Sequence, residues 1–180
     1  MNQDWMVLCL ILAALPVAAC RTSDCERKWN YWRPRVLAAA AAKSPWPIIP
    51  GESVGPLKLG MAEDEVLRAI GPAPPESFGK WEYPTLGLNV AISGGRVVSI
   101  NAGGSSCGDP ERLLSKAFPG EFADRIGMGA SPKEVAAVIG EPLGPGFVKE
   151  NIEYLMYHNM DLMFENGRLE WLKISLPVEK

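Results

Sequence analysis

Leu57-Lys58-Leu59-Gly60-Met61-Ala62-Glu63-Asp64-Glu65-Val66, running on to Ile70-Gly71, is answered by Ile126-Gly127-Met128-Gly129-Ala130-Ser131-Pro132-Lys133-Glu134-Val135, running on to Ile139-Gly140. Self-similarity at a fixed spacing is the mark of a duplicated supersecondary unit. Further on, Leu88-Asn89-Val90-Ala91-Ile92 and Gly95-Arg96-Val97 match Met160-Asp161-Leu162-Met163-Phe164 and Gly167-Arg168-Leu169, with three residues added near Gly144-Pro145-Gly146.

Each copy opens with a helix signal. Ser131 is placed to cap, Pro132 suits the first helical position, and Glu134 can reach back to the cap. The first copy has Ala62 at the cap position but keeps Glu65, and Glu63 and Asp64 suit the helix dipole. Val66 and Ile70, like Val135 and Ile139, lie four apart and share a face. Gly71 and Gly140 then end the helices. The acidic triplet Glu63-Asp64-Glu65 is read as helix-end electrostatics, not as a carboxylate site.

Alternating apolar stretches follow, which predict strands. Asn166-Gly167 and Ser93-Gly94-Gly95 supply hairpin turns, and earlier strands are expected near 80–84 and 152–158. Further helices are expected over Pro34–Lys43 and Pro110–Phe118. Alternation sends Leu88, Val90, Ile92, Val98, Ile100 and Ala102 inward, with Met160, Leu162, Phe164, Leu172, Ile174 and Leu176. It leaves Val97, Ser99, Met163, Leu169, Trp171 and Lys173 on the opposite face.

The expected fold is therefore α+β: two tandem modules, each a helix or helix pair on a three- to four-stranded antiparallel sheet. The expected boundaries are 1–19 for a signal peptide, 20–50 for a basic, aromatic arm, 51–104 for the first module and 105–180 for the second.

The amino terminus sets the compartment. Trp5 to Ala19 carries no charge, yet it is shorter than the ~18–20 residues a spanning helix needs. With Ala18 and Ala19 before Cys20, it reads as a secretory signal. Val17-Ala18-Ala19-Cys20 resembles the lipobox of bacterial lipoproteins, which implies a lipid on Cys20, and Arg21 is compatible with outer-membrane sorting. The opening Met-Asn-Gln-Asp lacks the usual Lys or Arg, so an uncleaved anchor or a misassigned start stands beside that reading. Of the four cysteines, Cys25 and Cys107 remain in the mature chain. An oxidising compartment permits a disulfide between them; two unrelated thiols is the equal alternative.

Function classes narrow accordingly. The formal net charge is −3, and no Lys/Arg stripe supports nucleic-acid binding. His158 is the sole histidine, so neither a triad nor a histidine-based metal site is indicated. Gly103-Gly104-Ser105-Ser106 lacks the lysine of a phosphate loop. No catalytic residue, cofactor, metal or small-molecule substrate is expected. Trp171 and Met163 are large for a wet sheet face, and with Lys173 and Leu169 they are candidate partner contacts. Trp29 and Trp32, in the basic arm, are candidates for the same role or for a membrane surface. Packing of that face on the other module is the competing explanation for Trp171.

The pattern of apolar segment, Gly, acidic helix, Ile-Gly, Pro, Tyr, alternating strand and Gly-Arg, over 55–102 and 124–176, resembles the SmpA/OmlA (BamE-like) lipoproteins. Its tandem layout is similar to the β-lactamase inhibitor protein fold. The first resemblance implies a lipid-anchored protein at the periplasmic face of the outer membrane, docking on another envelope protein. The second implies a periplasmic or secreted inhibitor that blocks an enzyme.

Overall fold

The computed structural model describes residues 33–35, 38, 45–72, 80–104, 117–144 and 146–177. Cys20, Cys25, Cys107, Trp29 and Trp32, with the expected signal segment, lie outside them, as do most of the two expected flanking helices.

Two eight-residue helices form where the capping signals put them: α1 (Glu63–Ile70) and α2 (Pro132–Ile139). In α2 the Ser131 hydroxyl accepts from the Glu134 amide at 3.3 Å, and the Glu134 carboxylate accepts from the Ser131 amide at 2.7 Å. In α1 the Glu65 carboxylate alone closes the turn, accepting from the Ala62 amide at 2.8 Å. Each helix buries one valine completely, Val66 or Val135. Gly71 and Gly140 end them at φ 85° and 87°, a backbone that side chains other than glycine's resist.

The remaining structure is mostly strand. A small sheet holds β1 (Trp46–Ile49), β2 (Ser53–Val54), β3 (Leu57–Lys58) and β7 (Gly120–Glu121), in the order β3-β2-β1-β7. The large sheet holds β4 (Lys80–Tyr83), β5 (Leu88–Ser93), β6 (Arg96–Gly103), β8 (Phe147–Lys149), β9 (Ile152–Tyr157), β10 (Met160–Glu165) and β11 (Arg168–Ser175). Its order is β4-β5-β6-β11-β10-β9-β8, antiparallel throughout.

This corrects the expectation of two helix-on-sheet modules. The protein is mostly β, and its long sheet runs unbroken across both halves. Left alone, β6 and β11 would each expose an unpaired edge, which proteins avoid. They pair with each other instead, with Ile100 opposite Ile174, Asn101 opposite Lys173 and Ala102 opposite Leu172. Asn101 and Lys173 hold the same place in their respective hairpins. A local two-fold therefore passes between them. β1 and β7, which precede the two helices, also pair, in parallel.

Matching bonds tie each pre-helical segment to its hairpin. Val97 donates to the Met61 carbonyl at 2.9 Å and Leu169 to the Ala130 carbonyl at 2.8 Å. The guanidiniums of Arg96 and Arg168 donate to the Gly60 and Gly129 carbonyls at 2.8 and 3.3 Å. Beneath lies one core, in which Val66, Val135, Val54, Leu57 and Phe118 meet the inner face of the long sheet at Val90, Ile100, Leu162, Phe164, Leu172 and Ile174.

A further correction concerns faces. The pairing slips between Ala91 and Ile92 and again between Met163 and Phe164. Val98 and Glu170 become the extra residues of two bulges, and side chains before them change sides. Val97 and Leu169, expected outside, are therefore fully buried. Leu169 is a core residue and leaves the set of candidate partner contacts.

Candidate functional site

The outer face of the long sheet carries a row that register alone defines. Gly103 lies opposite Trp171, Trp171 opposite Met163, Met163 opposite Tyr154, and Tyr154 opposite Phe147 on the edge strand β8. A second row beside it runs Asn89, Asn101, Lys173, Asp161, Met156.

Exposure rises towards β8. Trp171, Met163 and Lys173 are half-buried, while Tyr154 is 36%, Met156 53%, Phe147 61%, Val148 64% and Leu143 73% exposed. Those five, from Tyr154 to Leu143, make up most of the large apolar residues exposed among the described ones; the others are Ile49, Leu67 and Leu176. Solvent-facing apolar residues scattered singly are ordinary, but a contiguous patch marks an interaction surface. The rings of Phe147 and Tyr154 lie 6.4 Å apart at 40°. Leu143 joins the edge because its amide donates to the Met156 carbonyl at 2.8 Å.

Glycines shape this edge. A Cβ on Gly146 would lie 2.5 Å from the Tyr154 carbonyl oxygen and 2.7 Å from Leu155 Cδ2, so only glycine lets the chain press against β9 there. At the other end of the row, a Cβ on Gly104 would lie 3.1 Å from Trp171 Cδ1. The indole of Trp171 is therefore partly covered by the Gly104 backbone.

The structure brings three sequence candidates together, Trp171, Met163 and Lys173, and adds Phe147, Tyr154, Met156 and, at the edge, Leu143; Val148, opposite Glu153, lies on the other side of the sheet. One signal for these was readable. The stretch between the helix-ending glycine and the first shared strand residue is 72–79 in the first half but 141–153 in the second. The extra chain carries Phe147-Val148 and builds β8. His158 sits exposed in the turn between β9 and β10. Among the described residues, no three of His, Cys, Asp and Glu gather as a metal site would require.

On the inner side of the long sheet, two groups of the second half have shifted titration. Burial pushes the Tyr157 hydroxyl up from its ordinary range, and the negative charge of Glu141 adds to this; among the described residues that buried hydroxyl has no hydrogen-bond partner. Glu134 is held below the usual carboxylate range, first by its hydrogen bonds from Ser131.

No protein-family model matches the chain, and no curated protein matches it. Three solved chains do. One is an extracellular protein containing an SCP domain from Bacillus anthracis, at 10% identity and TM-score 0.37, covering 65% of this chain and 43% of that one. Another is a cysteine-rich secretory protein from Staphylococcus aureus, at 14% identity and TM-score 0.39, covering 74% and 48%. The resemblance to SmpA/OmlA lipoproteins, and the tandem likeness to the inhibitor fold, do not hold: no family model or curated protein supports them, and one seven-stranded sheet runs where two separate modules were expected. The outer-membrane assignment that rested on that family falls with it. This chain spans less than half the length of either of these two proteins.

Proposed function

We propose that this chain is an exported interaction protein, held to a membrane by lipid on Cys20, that docks on another cell-envelope protein. Docking uses the outer face of the long sheet and its β8 edge. The observation that carries the reading is the gathering of Phe147, Tyr154 and Met156 on the outer face at one sheet edge, with Leu143 bonded to that edge, continuous with Met163 and Trp171. An aromatic and methionine strip with Lys173 and Asp161 beside it has the make-up of an interface core with a polar margin. Export and anchoring rest on the uncharged run Trp5 to Ala19 and on Val17-Ala18-Ala19-Cys20. The protein acts by binding rather than catalysis.

The test has two arms. Mass spectrometry of the mature amino terminus should find diacylglycerol on Cys20. A photo-crosslinking residue at Tyr154, compared with one at Glu63 on α1, should join the protein to one membrane-fraction envelope protein in intact cells. Trp171→Ala should weaken that complex by about thirtyfold, as loss of a hot-spot tryptophan does. An adduct equally strong from Glu63, or a complex indifferent to Trp171→Ala, refutes docking at this face.

A further inference from the structure

The two halves diverge at one spot where their backbones agree. The capping carboxylates Glu65 and Glu134 align α1 with α2, which sets Leu67 against Ala136 and Arg68 against Ala137. Strand register sets Trp81, opposite Val90, against Leu155, opposite Leu162. All three positions are smaller in the second half. In the second half an open groove of about 480 Å³ lies between α2 and β9, lined by Ala136, Ala137, Leu155, Pro142, Glu141 and Glu153. Register puts Leu155 on the side of β9 opposite Tyr154, so the groove does not share the outer-face row.

We propose that this groove seats an aromatic side chain of a partner protein, with a cationic group beside it. The volume is that of a small-ligand site, and the two alanines with Leu155 and Pro142 make its lining apolar. The fold itself places an indole, Trp81, at the strand position where the second half has Leu155, and there it is only 6% exposed. The cation follows from the lining: Glu141 and Glu153 oppose the single ammonium of Lys133. The charge of Glu141 also reaches inward, helping to raise Tyr157. A cation near two carboxylates and an aromatic ring on an apolar floor are complementary to this surface in both shape and charge.

The site can be tested without knowing the partner and without the outer face. Tryptamine, an indole bearing an ammonium, is titrated into the chain while the amide shifts of Ala136, Ala137 and Leu155 are followed. Binding at about millimolar Kd is expected, as a ligand this small allows. Leu155→Trp, which copies the first half, should weaken it at least about tenfold without changing the circular dichroism spectrum. If that variant does not fold, the exposed Ala137→Arg serves instead. Indole-3-acetate, the same ring with opposite charge, should bind about threefold more weakly, and Glu153→Gln should narrow that gap. Trp171→Ala should leave tryptamine binding unchanged.

The proposal is overturned if Leu155→Trp and Ala137→Arg both bind tryptamine as the parent does, or if the two ligands bind alike. Shifts confined to the Trp171 face overturn it too. Tighter tryptamine binding by Trp29→Ala/Trp32→Ala would give the groove to this chain's own arm, and a dimer lost on Leu155→Trp would give it to a second copy. Either result overturns a foreign partner.

Discussion

Ile100 and Ile174 face each other across the seam between β6 and β11, both fully buried. Truncating either to alanine removes three carbons from a packed interior. At about 0.8 kcal/mol per buried methylene, the transfer cost is about 2.4 kcal/mol. The cavity left behind raises it to about 3–4 kcal/mol, within the ~2–5 kcal/mol seen for such changes. A domain of this kind is stable by only about 5–15 kcal/mol, so the gentler Ile→Val pair, at about 1 kcal/mol each, belongs in the same series. Because the two side chains are cross-strand neighbours, the double variant should depart from additivity by about 0.5 kcal/mol or more. Urea unfolding, followed in parallel by far-ultraviolet circular dichroism and tryptophan fluorescence, measures all of this. One coincident transition is expected, since a sheet shared by both halves gives neither a separate core. Two transitions, or costs from Ile100 and Ile174 that add to within about 0.3 kcal/mol, would refute a single cooperative sheet.

Leu169→Ala should cost about 2–5 kcal/mol in the same assay, whereas Trp171→Ala, on the half-buried outer face, should cost clearly less; the reverse order would place the bulge at Glu170 wrongly. Ser131→Ala removes the α2 cap and should cost about 1 kcal/mol at neutral pH, read as a shift in urea midpoint with unchanged slope. Glu134 is depressed in the folded chain. Its contribution is therefore present above the unfolded carboxylate value and is lost as pH falls through the lower folded value. Ser131→Ala should accordingly shrink the loss of stability on acidification below about pH 4, and an acid limb parallel to the parent's would contradict that linkage.

Local features were written in the chain. Ser131-Pro132-Lys133-Glu134, the Glu65 that bonds the Ala62 amide, Gly71 and Gly140, and Asn166-Gly167 act over three or four residues, so their hydrogen bonds and backbone angles follow from neighbours alone. The outward placement of Trp171, Met163 and Lys173 was legible for a similar reason: a pleat alternates until something interrupts it. The interruption was not legible. Bulges at Val98 and Glu170 depend on how two strands meet, and they move Val97 and Leu169 to the other face. Nor could the chain alone show that β6 and β11 would join into one sheet, because that pairing satisfies edges that exist only once both halves are folded. The apolar β8 edge and the groove beside Leu155 have the same origin. The first follows a difference in length between the halves, the second lies among small residues of α2 and β9, and only the packed structure turns either into a surface.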